Sequence, residues 1–295
     1  METITLHAPA KINLTLDVTG KRPDGYHTLV SVMQAVDVCD RITLSRRNEP
    51  GIALTLSDPR LPTDGRNTAY RAAEVFFRET GTAWGVEIHI AKYIPQQAGM
   101  AGGSADAAGV LWGLNRLAGN PCSVDKLCRM GAAVGADVPF CVKGGCALAE
   151  GIGERLTPLP SLPDCTIVVI KPPVGVSTGE AYRLVDETAL ETRQDQAEML
   201  RALQNQDLSG VGQALGNVFE RTIRLPEVTA IRTAMAAFRP QGSMMTGSGS
   251  AVFGLFDDDT TAIACAAALA DQGEVYLCRP CPSGPWEDTD KTQAC

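Results

Sequence analysis

The chain lacks an excess of positive charge. Its 26 lysines and arginines face 34 aspartates and glutamates, for a formal net charge of −8. A general nucleic-acid or anionic-membrane partner is therefore not expected. A small anionic substrate remains compatible, because local loops can oppose the global field. Long apolar runs are missing too: the longest stretch of small apolar residues, AIACAAALA, is far too short to span a bilayer. METITLHAPAKINLTL has no basic lead followed by an apolar block, so no secretory signal is expected and a cytoplasmic location follows by default. The ten cysteines are scattered rather than framed, which reads as small buried hydrophobes in a reducing compartment. Only Cys278 and Cys281, in CRPC, have metal-like spacing, and no second such pair exists to complete a zinc site. The simpler reading of CRPC is part of a mobile tail. No internal repeat is visible.

What is present suits a packed enzyme-sized globule. The hydrophobic fraction is 44%, and 295 residues are long for one core, so two fused subdomains are expected. ITLHAPAKINLTLDV alternates as a strand, a turn and a second strand. KRPDGYHTLVSVMQAV opens with a Pro-Asp-Gly turn and runs into β-branched residues; DRITLSRR and GIALTLS read as further strands. Asn67 suits the cap of a helix TAYRAAEVFFRET that stops at Gly81. GVEIHIAKYI is a strand, SVDKLCRMGAAV a capped helix, and VPFCVKGGCALAEG reads as strand-like with a Gly-Gly bend. Three prolines in the stretch from Leu156 to Cys165 mark a domain crossing. Beyond it come a strand TIVVIKPP, helical stretches between Gly179 and Phe238, a strand–glycine turn–strand SMMTGSGSAVFGLF, a helix TAIACAAALADQG and a last strand EVYLCRP. The predicted division is 1–156, 157–282 and a loose polar tail, 283–295.

The chemistry concentrates in IPQQAGMAGGSADAAGVLWGLNRL, a small-residue loop that runs into a helix. Amides at a helix N-terminus are unsatisfied and carry part of the helix dipole, and small residues let a polyanion come close to them. Gly99, Ala101, Gly102, Gly103 and Ser104 meet that need. A Walker loop would end in Gly-Lys-Ser/Thr, and this one ends in Gly-Gly-Ser, so P-loop chemistry is excluded. From the loop alone, phosphate binding and a ligand-free connection stand about even. Ser104 is suited to cap the helix, hold a phosphate or reach a magnesium ion. Lys11 lies inside an otherwise apolar strand-like stretch, APAKIN. Asp137 lies in GADVPF, between a helix end and apolar residues. Each alone reads more readily as structural than catalytic.

Taken together, three blocks resemble the GHMP kinase superfamily: APAKINLTLDVTGKRPDGYH; PQQAGMAGGSADAAGVLWGLN with GADVPFCVKGGCALAEGIGERL; and MMTGSGSAVFGLF. They span most of the chain in the family's order. KRPDGYH with GADVPF narrows the resemblance to the branch acting on a cytidyl diphosphate substrate. The resemblance implies an α+β, two-domain fold with a ribosomal protein S5 domain 2-like N-terminal half and a ferredoxin-like C-terminal half. It implies transfer from ATP, with Mg2+, to the 2-hydroxyl of a methylerythritol carried on cytidine diphosphate, in non-mevalonate isoprenoid precursor synthesis. It implies that Gly99, Ala101, Gly102, Gly103 and Ser104 wrap the ATP phosphates, with Asn67 near the adenine. Where the family often has glycine, this chain has Ala101, which a negative φ would accommodate. Asp137 would accept the proton of the attacking hydroxyl, and Lys11 would balance charge beside it. Asn13 shares the strand face of Lys11 by two-residue alternation. Tyr26, His27 and Tyr182 would hold the cytosine, and Gly247 and Ser248 would back the phosphate loop. No metal ligand is assigned beyond Ser104 through Mg-ATP. The rivals are a homoserine- or mevalonate-type kinase, which need not carry KRPDGYH, and a silent ligand-sensing paralogue, which would have lost Lys11 or Asp137.

Overall fold

A computed structural model describes residues 2–188 and 196–288. The first half is built on two very long antiparallel strands, β1 (Thr3–Lys21) and β2 (His27–Arg47), joined by the Pro-Asp-Gly turn. The expected break into shorter strands does not occur. Register shifts at Pro9/Ala10, Asn13/Thr15 and Val18/Gly20 absorb the irregular alternation within one ribbon. Next come β3 (Ile52–Leu56), α1 (Thr68–Thr80), β4 (Gly85–Ala91) and α2 (Gly102–Leu117). The Asn67 carboxamide caps α1 by accepting from the Ala69 N–H at 2.9 Å. After α3 (Val124–Ala132), capped by Ser123, the sequence expectation fails: Val138–Lys143 is a short helix, α4. Its β-branched and aromatic residues favour a strand locally. Pro139 in the first turn is compatible with a helix start, and burial of all but Lys143 decides the outcome. The strand begins only after the two glycines, as β5 (Cys146–Gly151), which pairs with β6 (Arg155–Leu159).

Across the proline-rich crossing lie β7 (Thr166–Lys171), α5 (Thr178–Glu187), α6 (Gln196–Gln204), α7 (Leu208–Gln213), β8 (Gly216–Asn217), α8 (Val218–Thr222) and α9 (Pro226–Ala236). Then follow β9 (Gly242–Met245), β10 (Val252–Phe256), α10 (Asp259–Ala268), β11 (Glu274–Cys278) and β12 (Trp286–Glu287). The second sheet has the order β11-β7-β10-β9 and is antiparallel throughout. Numbered by its own four strands this is 4-1-3-2, with helices in the βαββαβ crossovers, the ferredoxin-like arrangement. β7 is buried at every position, as a strand between two neighbours and under helices must be.

The halves are not separate beads. β8 runs parallel to β1 at Thr15 and Leu16, and β12 pairs with Leu6 and His7 of β1. The expectation of a loose tail from 283 is corrected through Asp288. Trp286 stacks on His7 with ring centroids 5.5 Å apart, and Asp288 pairs with Arg41 at 2.8 Å. Cys278 and Cys281 are likewise buried rather than in a mobile tail, each thiol donating to a carbonyl, of Ile167 and Ser283 respectively. No helix among the described residues is long and apolar enough to cross a membrane.

The return of the chain is sterically exact at Gly144, whose φ is +66°. A methyl there would lie 1.9 Å from the Ser283 carbonyl carbon. Gly144→Ala is expected to lower the unfolding free energy by about 2 kcal/mol or more, from the clash and the left-handed backbone together. An unchanged urea midpoint would contradict this packing.

Candidate active site

The two glycine loops touch through bare backbone. Gly99 has φ +73°, and a methyl on it would sit 2.0 Å from the Thr246 carbonyl oxygen. Gly247 has φ +55°, and its added methyl would lie 2.7 Å from the Gly99 carbonyl oxygen. The contact is extended by Ser250 N–H donating to Gln97 O at 3.1 Å and Ala251 N–H to Ala98 O at 3.3 Å. Thr246 holds the seam from the side, accepting from Asn13 N–H at 2.9 Å through its hydroxyl. Asn217, on β8, donates to the Met245 and Gly247 carbonyls, both at 2.8 Å. The last turn thus braces the first, as the sequence suggests, and Thr246 and Asn217 are braces that sequence reading missed.

A cleft of about 390 Å³ opens on this seam. Lys11, Asn13, Gly99, Ala101, Gly102, Gly103, Ser104, Asp137, Tyr182, Gly247 and Ser248 all line it, so most of the residues singled out above converge. Lys11 and Asn13 point the same way from β1, as alternation requires. Lys11 Nζ donates to Asn13 Oδ1 at 2.6 Å and to Gly99 O at 2.8 Å, and stands 4.0 Å from Asp137 Oδ2. Burial pulls the Lys11 pKa below its ordinary value; the charge of Asp137, and less so Cys141, opposes that shift. Asp137 occupies the N-cap position of α4 but makes no capping bond. Its side chain is 34% exposed, and among the described residues its carboxylate has no partner but Lys11. A carboxylate left free at a cleft wall beside one buried ammonium is suited to take a proton from an incoming hydroxyl.

At the start of α2, Ser104 N–H turns back onto Ala101 O at 2.9 Å. The amides of Gly102 and Gly103 are those that helix geometry leaves open toward the cleft. Ser104 is inside the helix rather than its cap, which frees its hydroxyl for a ligand. Ala101 is the N-cap residue, with φ +61°, so the negative φ that would have accommodated alanine is not adopted. The backbone keeps the left-handed turn that glycine takes without strain, and alanine bears the cost. Asn67 does not line the cleft. Its side chain is spent on the α1 cap and on donating to Pro62 O at 2.8 Å. Its neighbour Thr68, which was not anticipated, lines the cleft and donates to Gly103 O at 2.6 Å.

A second hollow, about 650 Å³, shares Leu29, Ser104, Asp137, Thr178 and Tyr182 with the first. Its far wall carries Tyr26, His27, Lys21 and Asp186. Tyr26 is 61% exposed and projects from the turn. The His27 ring lies flat on Tyr182, with centroids 4.6 Å apart and planes at 16°, and its Nε2 meets Asp186 Oδ1 at 2.7 Å. Lys21 holds the other Asp186 oxygen at 2.5 Å, and hydrogen bonds from Lys21 and His27 keep the Asp186 carboxyl below its usual range. Asp186 escaped the sequence reading because its partners lie in the first β-ribbon, on the far side of the domain crossing.

Known proteins resemble this chain in sequence and fold. The family description for the GHMP kinases N terminal domain matches residues 67–145, and that for GHMP kinases C terminal matches 199–275. The chain belongs to the GHMP kinases. A 4-diphosphocytidyl-2-C-methyl-D-erythritol kinase of Geobacillus kaustophilus is 44% identical over 260 residues, 87% of this chain and 89% of its own. One from Carboxydothermus hydrogenoformans is 42% identical over 283 residues, 95% and 98% of the two chains. A crystal structure of 4-(cytidine 5'-diphospho)-2C-methyl-D-erythritol kinase superposes with TM-score 0.78 at 34% identity, covering 94% of this chain and 98% of that one. Within the superfamily, the chain falls in the family of these cytidyl-substrate kinases. A homoserine kinase from Cytophaga hutchinsonii has a TM-score of 0.80 but only 21% identity, a likeness of fold alone.

Ala101→Gly should remove a left-handed-alanine strain of roughly 1–2 kcal/mol while adding roughly 0.4–1 kcal/mol of unfolded-chain freedom. The expected net gain is about 0.5–1 kcal/mol, read as a raised denaturant midpoint. A lowered midpoint would mean that the Ala101 methyl contributes more packing than its backbone costs.

Proposed function

We propose that the protein transfers the γ-phosphoryl group of ATP to the 2-hydroxyl of 4-diphosphocytidyl-2-C-methyl-D-erythritol. The observation that carries this reading is the common wall of the two hollows. Asp137 and Ser104 border both, with Lys11 beside Asp137 in the first. ATP phosphates fit the first hollow, against the α2 amides; the cytidyl group fits the second, against exposed rings.

In this reading the acceptor hydroxyl lies against Asp137. Its oxygen forms a bond to the γ-phosphorus, the bond from that phosphorus to the bridging oxygen of ADP breaks, and the hydroxyl proton goes to the Asp137 carboxylate. Phosphoryl transfer asks for little covalent work, so alignment and charge balance dominate. Lys11 is held by Asn13 and Gly99, supplying a fixed positive charge that need not reorganise during transfer. Gly102 and Gly103 offer amides to the phosphates, and Gly247 and Ser248 close the far side. Mg2+ would arrive with ATP. No cluster of three or more His, Cys, Asp or Glu side chains suits a resident metal among the described residues. The Ser104 hydroxyl and the Asp137 carboxylate are oxygen donors of the kind that supplement phosphate ligands, and the ion would neutralise phosphate charge there.

For the base, Tyr26 offers an open ring face, and the His27–Tyr182 stack forms a flat wall of the same hollow. With His27 Nε2 engaged by Asp186, the cytosine edge is left to His27 Nδ1 and its backbone. The alternative of a homoserine or mevalonate kinase has no use for a hollow of this size ringed by Tyr26, His27 and Tyr182.

The direct test is a phosphorylation assay over hydroxyl acceptors with and without the cytidyl group. Transfer only to the cytidyl-bearing acceptor supports the reading; equal transfer to homoserine or mevalonate removes it. Asp137→Asn should preserve ATP binding and lower kcat by at least about a hundredfold; near-normal turnover would take the base role from Asp137. Tyr26→Ala should raise KM for the cytidyl acceptor by roughly tenfold, the worth of one stacked base, with little change for ATP. Equal rises in both constants would deny Tyr26 a stacking role.

A further inference from the structure

Lys92 follows the last residue of β4, and Asp106 lies near the start of α2. They bracket the whole phosphate-facing stretch, 95–104, and their side chains meet beneath it. Lys92 Nζ donates to Asp106 Oδ2 at 2.6 Å and also to Asp40 Oδ2 on β2. The second Asp40 oxygen accepts the backbone N–H of Tyr93 at 2.6 Å and of Ile94 at 2.9 Å. One ammonium therefore ties together the exit of β4, the long strand beneath it and the entrance of α2. All three side chains are nearly shut off from solvent. The ammonium also lies close under the loop's landing point: a methyl built on Gly102 would stand 3.5 Å from Nζ.

Two features separate this cluster from an ordinary buried ion pair. Asp106 Oδ1 is buried with no hydrogen-bond partner among the described residues, an arrangement that an optimised core avoids. Two carboxylates also share one cation, so full ionisation would leave a net negative charge below a loop that receives a polyanion. Burial, and then the charge of Asp40, drive the Asp106 carboxyl well above its ordinary range against the pull of Lys92, which favours a neutral cluster. Cys141 of α4 also feels the Asp106 charge, and its own burial keeps it a thiol; Asp58 faces Lys92 and the Tyr276 phenol faces Asp40. Apolar residues of similar size would hold such a core at least as well; ionic groups add a fixed direction to what they join.

We propose that Lys92, gripped by Asp40 and Asp106, is a positioning residue for the nucleotide. It pins both ends of the glycine loop, so that the loop's amides are already aimed when the triphosphate arrives. The inference rests on the kinase reading given above. Preorganisation of this kind acts on nucleotide affinity and leaves acceptor affinity alone.

The test compares Asp106→Leu with Asp106→Asn in the full-length protein, measuring KM for ATP, KM for the cytidyl acceptor and the thermal midpoint. Asparagine keeps an oxygen for Lys92 and should stay within about twofold of wild type in both constants. Leucine cannot accept from Lys92 and should raise KM for ATP by about tenfold or more, with the acceptor constant within about twofold. If leucine prevents folding, Asp106→Ala removes the same acceptor without adding bulk, and the same split is expected. An ATP constant unchanged in the apolar variant, a parallel rise in both constants, or an asparagine variant as impaired as the leucine one would each overturn the proposal. Failure of the kinase reading is distinguishable, since the wild-type protein would then show no ATP-dependent transfer at all.

Discussion

Everything in the site depends on how closely two stretches of backbone approach each other. Gly99 and Gly247 meet with no room for a methyl on either. Because the contact is made by main chain, it fixes atoms rather than side-chain averages. The Gly99 carbonyl is held where Lys11 Nζ can donate to it, and Lys11 is thereby aimed beside Asp137. Loosening the seam would not merely open a gap; it would remove the acceptor that orients the only ammonium lining the cleft among the described residues.

The long strand β1 converts this local contact into a two-domain enzyme. Lys11 and Asn13 sit at its middle, Asn13 N–H reaches Thr246 of the second half, and the strand's far part pairs with β8 beside the Asn217 that braces the Gly247 turn. One strand thus carries the cation, anchors the domain crossing and continues into the turn bearing Tyr26. Buried polar groups along it are paired: Asn13 Nδ2 donates to Ser31 Oγ at 2.8 Å, and the Ser31 hydroxyl to Thr15 O at 2.5 Å. A fully paired polar row of this kind specifies one register, where an apolar row would permit slippage.

Local signals in the sequence were enough where local chemistry decides the structure. The Asn67 cap, the α1 limits and the strand–turn–strand around Gly247 follow from capping and turn residues, whereas the convergence of Lys11 with Asp137 was implied only by the resemblance to the GHMP kinases. Non-local packing defeated the reading elsewhere. Val138–Lys143 has strand-forming residues but is helical because Pro139 suits a first turn and its neighbours bury it. Ala101 keeps a left-handed φ because the loop around it dictates that backbone. Lys92, Asp40 and Asp106 carry no motif, since a cation with partners on two distant elements is defined only by the fold.

The docking of β12 onto β1 bears on how the polypeptide matures. Outside β2, the described partners of β1 are Gly216–Asn217 and Trp286–Glu287. A ribosome delivers those residues long after it has delivered the strand they cover. Until then a largely buried ribbon presents an unpaired edge, the feature through which sheets aggregate. β1 is therefore completed by residues far downstream of it, and a chain stalled short of Trp286 leaves that edge open.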